Sequence, residues 1–178
     1  MTSNNKKNIV LTGFMGTGKT TVGKWLAAQL GYEFIDTDEI IEQQQGRTIP
    51  EIFQEAGEAA FRQMESDLAQ ALANQQGLVI STGGRMMLDP ANATALGRQS
   101  HVFCLVATPE EILQRLQLDT SHSRPLLAVA DPEQRIVQLL AERAEGYGRF
   151  LQIQTSGKTV EEIVQEIIGI AAAQTESG

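Results

Sequence analysis

Eight consecutive residues, Gly13-Phe14-Met15-Gly16-Thr17-Gly18-Lys19-Thr20, have the types and spacing of a phosphate-binding loop. Two glycines flank four free positions, and a lysine and a hydroxyl residue follow. Glycine backbone can curl so that successive N–H groups surround phosphate oxygens at the positive end of the next helix. Lys19 would bring a mobile cation to the β and γ phosphates, and the Thr20 hydroxyl is a ligand for the magnesium that travels with a nucleotide. The local context fits, since the apolar run Ile9-Val10-Leu11 precedes the motif as a buried strand would. Val22, Trp25, Leu26 and Leu30 follow at helical spacing.

Further along, Asp36 and Asp38 lie two residues apart. On an extended strand end they would share a face and could divide roles between metal and substrate. Arg62 flanks the apolar face of an amphipathic helix with Glu65 one turn on, the arrangement of a solvated ion pair. Arg143 continues the stripe of Ile136 and Leu140, which aims its guanidinium inward, toward a carboxylate or phosphate. Gly83-Gly84 follows an apolar run and permits either close backbone approach to a ligand or a tight turn. Arg124 lies in an irregular loop as a candidate lid arginine. His101 and His122 have no companions at metal-ligand spacing, and Trp25 and the methionines are most simply core.

The elements that must position these groups alternate. Gly31 is expected to end the first helix as a left-handed cap, and a second strand spans 32–35. A short helix over 39–45 stops at Gly46, and Thr48 with Glu51 makes a capping box for another helix with Pro50 in its first turn. An amphipathic helix spans 57–73, strands span 78–81 and 101–107, and Thr108-Pro109 starts a helix cap first, proline next. From 118 to 130 the periodicity fails, and a loop that long is expected to be functional, here a lid. Helix returns over 133–145, a last strand spans 150–153, and an apolar stripe from Val160 to Ala171 marks the closing helix. Residues 1–8 and the segment from Gln174 are expected to be frayed tails. Alternating strands and helices imply an α/β fold with a five-stranded, mostly parallel sheet.

The 178 residues are most simply a single domain, and 42% apolar with 20% charged residues are globular proportions. A net charge of −8 argues against a polyanion-binding surface, so nucleic acid is not an expected partner. No run approaches the roughly 20 apolar residues of a membrane span. Cys104, the only cysteine, can form no internal disulfide and sits in an apolar run. A cytoplasmic monomer is expected.

Taken in order, the phosphate loop, Asp36-Thr37-Asp38, Phe61-Arg62, Thr82-Gly83-Gly84, Ser123-Arg124-Pro125-Leu126-Leu127 and Glu142-Arg143 resemble the shikimate kinases, over about Ile9 to Ile168. The resemblance implies a fold like that of the P-loop nucleoside-monophosphate kinases and magnesium-dependent transfer of the ATP γ-phosphoryl group to the 3-hydroxyl of shikimate, on the route to chorismate and the aromatic amino acids. By that resemblance Gly13, Gly16, Thr17, Gly18, Lys19, Thr20 and Thr21 hold ATP, and Thr20 and Asp36 serve Mg2+, Asp36 from the outer shell. Asp38 holds the acceptor hydroxyls and acts as base. Arg62 and Arg143 grip the acceptor carboxylate beside the Gly83 and Gly84 backbone, Arg124 closes onto the phosphates, and Arg115 lies against adenine.

Two positions depart from the family pattern. Arg85 replaces a third consecutive glycine, and Glu145-Gly146-Tyr147 stands where Pro-Leu-Tyr is common. The backbone at Arg85 is expected to be unstrained, with the guanidinium turned from the acceptor toward an acidic side chain or solvent. Two alternatives stand beside this reading: a kinase of another small hydroxy acid, and a nucleotide-binding regulatory module without acceptor chemistry. A guanine-nucleotide switch is disfavoured, because no Asn-Lys-x-Asp base-reading motif occurs.

Overall fold

The computed structural model describes residues 6–119 and 125–176. Five strands form a wholly parallel sheet in the order β2-β3-β1-β4-β5, where β1 is Asn8–Thr12, β2 Glu33–Asp36, β3 Leu78–Ser81, β4 Ser100–Val106 and β5 Leu151–Gln154. From β1 the chain passes to β2 and β3 on one side and then crosses to β4 and β5 on the other. The strand order therefore reverses at β1, and ligands of open α/β sheets bind at the carboxyl ends beside such a reversal. The phosphate loop leaves β1 there.

Seven helices flank the sheet among the described residues: α1 Lys19–Leu30, α2 Thr37–Gln45, α3 Ile49–Leu72, α4 Pro90–Gly97, α5 Pro109–Leu118, α6 Pro132–Gly148 and α7 Val160–Glu176. Alternation along β1 sorts the core. Ile9 and Leu11 face α1 and α7 through Val22, Leu26, Val164 and Ile167. Val10 faces the opposite layer, with Ile52, Leu68, Met86 and Leu96. A third cluster joins Phe14 of the loop to Ile112, Leu116, Ile136 and Tyr147 of α5 and α6. Each fully buried side chain of this size contributes about 1.5–3 kcal/mol.

The expected caps form. Gly31 and Gly46 end α1 and α2 at φ of 63° and 64°, and Glu51 accepts the Thr48 backbone N–H at 2.7 Å. Several expectations are corrected. Trp25 is 51% exposed rather than core, because α1 buries Val22, Gly23, Leu26 and Ala27 and position 25 falls off that face. The helix capped by Thr48 and the one expected from 57 run together as α3, and the expected boundary between them is a kink at Gly57, whose φ of 82° and ψ of 170° are non-helical. Residues 174–176 continue α7 instead of fraying: the Gln174 amide oxygen meets His101 Nδ1 at 2.6 Å, and the Thr175 hydroxyl lies 3.3 Å from Nε2. Asn8, expected in the tail, is the buried first residue of β1.

The sequence reading missed α4 and the 3-10 turn at Met86–Leu88 that precedes it. The signal was present in Asp89-Pro90, a cap followed by proline, and Asp89 does accept the Ala91 N–H at 2.8 Å.

Gly13 has φ of 133°, and a Cβ there would collide with the Leu105 carbonyl of β4. At Gly31 the same methyl would meet nothing within 4 Å. We expect Gly13→Ala to destabilise the protein by about 2 kcal/mol or more and Gly31→Ala by about 1 kcal/mol, read from denaturant midpoints. Equal losses would show that the loop yields at no extra cost.

Candidate active site

The phosphate loop needs its glycines for backbone shape: Gly13, Gly16 and Gly18 have φ of 133°, 77° and 101°. The buried Thr17 hydroxyl donates to the Phe14 carbonyl at 2.7 Å, and Lys19 Nζ donates to the Gly13 and Phe14 carbonyls at 2.8 and 2.9 Å. Lys19 is thus folded over the loop it would share with phosphate. Desolvation by the surrounding chain lowers its pKa to about 8, with Asp38 pulling the other way. The first turn of α1 carries no acidic residue, so its positive end is left for an anion. Thr20 and Thr21 are exposed on that turn. Arg115 reaches back from α5 to donate to the Gly16 carbonyl and the Thr155 hydroxyl, each at 3.2 Å.

Asp36 and Asp38 come together, but not as two residues on one strand face. Asp36 ends β2 and caps α2, its Oδ1 accepting the Asp38 and Glu39 N–H groups at 3.0 and 3.3 Å. Its Oδ2 accepts the Thr20 hydroxyl at 3.3 Å. Asp38 lies in the first helical turn, and its Oδ1 is buried with no hydrogen-bond partner among the described residues. Burial, then the charges of Asp36 and Glu65, push its pKa up to about 6 against the opposing pull of Lys19.

The Gly83-Gly84 backbone is where the remaining groups converge. A Cβ at Gly83 would sit 2.7 Å from Asp38 Oδ1 and 3.1 Å from Glu65 Oε1. At Gly84 it would lie 3.8 Å from an Arg143 Nη and 3.9 Å from the Tyr147 hydroxyl. Neither glycine has positive φ, so close approach is what they provide. Sequence reasoning gave no role to two residues that fix this strip. The Thr37 hydroxyl accepts the Gly83 N–H at 2.9 Å, and the Tyr147 hydroxyl donates to the Gly84 carbonyl at 2.5 Å. The ordinary signals for such contacts are absent from sequence, because 46 and 63 residues separate the partners.

Two arginines border the strip. Arg143 stacks over the Phe14 ring at 5.2 Å. Arg62 is not a solvated surface residue: it donates to Glu65 at 2.6 Å, and the Glu65 side chain is only 2% exposed. Burial raises the Glu65 pKa while Arg62 opposes it. Arg85 fulfils its expectation, with φ of −110° and the guanidinium 3.2 Å from Glu58. Arg124 lies outside the described residues, as do residues 120–124 of the expected lid; Pro125–Ala128 form a 3-10 turn.

A phosphate loop, an unpartnered carboxylate and two arginines around bare backbone, at the reversal point of a parallel sheet, define a P-loop kinase of small molecules. The family model described as shikimate kinase matches residues 15–171. A shikimate kinase from Caldanaerobacter subterraneus subsp. tengcongensis is 46% identical over 164 residues, covering 91% of this chain and 94% of its own. Among solved structures, the Acinetobacter baumannii shikimate kinase in complex with shikimate has a TM-score of 0.86 at 37% identity, covering 95% of this chain and 94% of that one. A Sinorhizobium meliloti gluconokinase, at 20% identity and a TM-score of 0.61, shares the fold. The chain belongs to the shikimate kinase family and is an ATP-dependent kinase.

The buried Asp38 makes stability depend on pH, and as a proton acceptor it would make activity depend on pH in the opposite sense. Its folded pKa lies above the ordinary 3.8, so its contribution to stability is complete below that value and is lost as pH rises through about 6. We expect Asp38→Asn to stabilise the unliganded protein at pH 7.5, by something on the order of 2 kcal/mol, and the gain to vanish near pH 4. Thermal unfolding at both pH values checks this; a gain that is equal at both would remove the burial argument. The wild-type kcat/KM for the acceptor should fall below about pH 6, as the carboxylate takes up its proton.

Proposed function

We propose that the protein transfers the γ-phosphoryl group of ATP to the 3-hydroxyl of shikimate, supplying the route to chorismate and the aromatic amino acids. The observation that carries this reading is the convergence on Gly83-Gly84 of an unpartnered buried carboxylate and an arginine beside the strip, with a second arginine held by Glu65. A small acceptor bearing hydroxyls at one end and a carboxylate at the other matches that charge pattern. The Acinetobacter relative was solved with shikimate bound, which supports the same acceptor here.

Asp38 Oδ1 accepts the proton of the 3-hydroxyl as its oxygen forms the new bond to phosphorus. The bond to the β–γ bridging oxygen breaks, and ADP leaves with that electron pair. Lys19 transfers its hydrogen bonds from the Gly13 and Phe14 carbonyls to the phosphates, where negative charge builds on the transferring group. The loop N–H groups and the start of α1 hold the phosphate chain, and Arg115 braces the loop at Gly16. Arg62 and Arg143 fix the acceptor carboxylate, so that catalysis is mainly positioning and charge neutralisation. Arg124 completes the proposed set from the lid.

Mg2+ fits the donors present. The Thr20 hydroxyl and the Asp36 carboxylate lie 3.3 Å apart, and hard oxygen donors suit this ion. Thr20 would bind it directly and Asp36 from the outer shell, neutralising charge on the phosphates. No cluster of three or more His, Cys, Asp or Glu occurs among the described residues, consistent with an ion that arrives with the nucleotide. No helix among the described residues is long and apolar enough to cross a membrane. We place the enzyme in the cytoplasm as a monomer acting on small molecules and not on nucleic acid.

Arg85 bears on the alternative of another hydroxy acid. Its guanidinium is paired with Glu58 at 3.2 Å instead of standing free as a further cation for a more anionic acceptor, which favours shikimate. A coupled ADP-release assay with and without shikimate tests the assignment, and turnover independent of shikimate would sink it. Arg62→Ala and Arg143→Ala should each raise the acceptor KM at least tenfold, since truncating one partner of a desolvated charge pair costs about 2–5 kcal/mol. Wild-type enzyme that bound the methyl ester of shikimate as well as the free acid would overturn both roles.

A further inference from the structure

A cleft of about 300 Å³ beside the acceptor end is lined by Glu58, Arg62, Glu65, Arg85 and their neighbours on α4. Three of the five N–H groups of Arg62 are engaged there. Its Nε and one Nη donate to Glu58 Oε1 at 3.3 and 3.2 Å, and the other Nη donates to Glu65 Oε2 at 2.6 Å. An incoming carboxylate must share this guanidinium with the two acids already on it, which repel it. Glu65 is a poor candidate to yield, because its side chain is 2% exposed and an unpaired buried carboxylate is costly. Glu58 is 52% exposed, and the same Oε1 accepts from Arg85 at 3.2 Å.

We infer that Arg85 is a positioning residue, an exchange partner that draws Glu58 off Arg62 when the acceptor carboxylate arrives. The inference rests on the proposed role of Arg62 at that carboxylate. Charge supports it: Glu58, Glu65 and Asp89 line this cleft with Arg62 and Arg85, so without Arg85 the three acids would face Arg62 alone. In that case Glu58 has no other cation in contact among the described residues, stays on Arg62 and repels the acceptor. Arg85 stands where the family pattern has a third glycine.

The test is a cycle of Arg85→Gly, Glu58→Gln and the double variant, read as KM for shikimate and for ATP at low and high salt. Arg85 is half exposed with φ of −110°, so glycine is accommodated and folding can be verified by melting. Arg85→Gly should raise the shikimate KM about two- to fivefold at low salt, the range of an exposed ion pair, with kcat and the ATP KM unchanged. High salt should shrink the effect. In the Glu58→Gln background the same substitution should have no effect, and Arg85→Lys should keep most of the wild-type KM. An unchanged shikimate KM, a rise of equal size in the Glu58→Gln background, or an effect carried on kcat or ATP would overturn the exchange. If Arg62→Ala leaves the shikimate KM untouched, the underlying reading of Arg62 fails; if it raises KM while Arg85→Gly does not, only the exchange fails.

Discussion

The approach of the Gly83 backbone to the Asp38 and Glu65 carboxylates is the constraint on which the site depends. A methyl at Gly83 would stand 2.7 Å from one and 3.1 Å from the other, so any side chain there would displace the Asp38 carboxylate and crowd that of Glu65. Holding these elements together leaves Asp38 buried beside two other acids with an oxygen unpartnered. That arrangement opposes ionisation, raises the Asp38 pKa to about 6 and costs stability at neutral pH, and it is what the proposed role of Asp38 as proton acceptor requires. Strain of this kind persists because the surrounding core over-determines the geometry.

The nucleotide and acceptor ends are parts of one packed unit. Phe14 belongs to the phosphate loop, is buried with Ile112, Leu116, Ile136 and Tyr147, and carries Arg143 over its ring. Arg143 thereby touches the loop through Phe14 while its helix reaches the acceptor strip through the Tyr147 hydroxyl. Gly146 permits this approach, since a Cβ there would meet Leu88 at 2.5 Å. Glu145-Gly146, where Pro-Leu is common, thus leaves room for the Leu88 side chain beside α6.

Arg62 shows how reading along one helix can mislead. At i, i+3 from Glu65 it reads as a solvated pair, yet the partner is almost wholly buried because α3 lies against the Gly83 strip. The same holds for Asp36 and Asp38, whose spacing was legible and whose geometry was not. The helix begins at Thr37, so one residue caps it and the other rides its first turn.

The sequence by itself determined the local units: the phosphate loop, its strand and helix, the left-handed glycine caps, the five strands and the apolar faces of most helices. These rest on interactions within a few residues, such as positive φ, capping and periodicity, which short stretches encode. Asp89-Pro90 belongs to the same local grammar, so the start of α4 is also encoded in a short stretch. Tertiary structure alone decided that Trp25 faces solvent, that Gln174 and Thr175 are tied to His101, and that Thr37 and Tyr147 anchor Gly83 and Gly84. It also decided that Arg85 meets Glu58, 27 residues away. Such contacts follow from which helix packs against which strand end, and a chain fixes that only once its whole core is assembled.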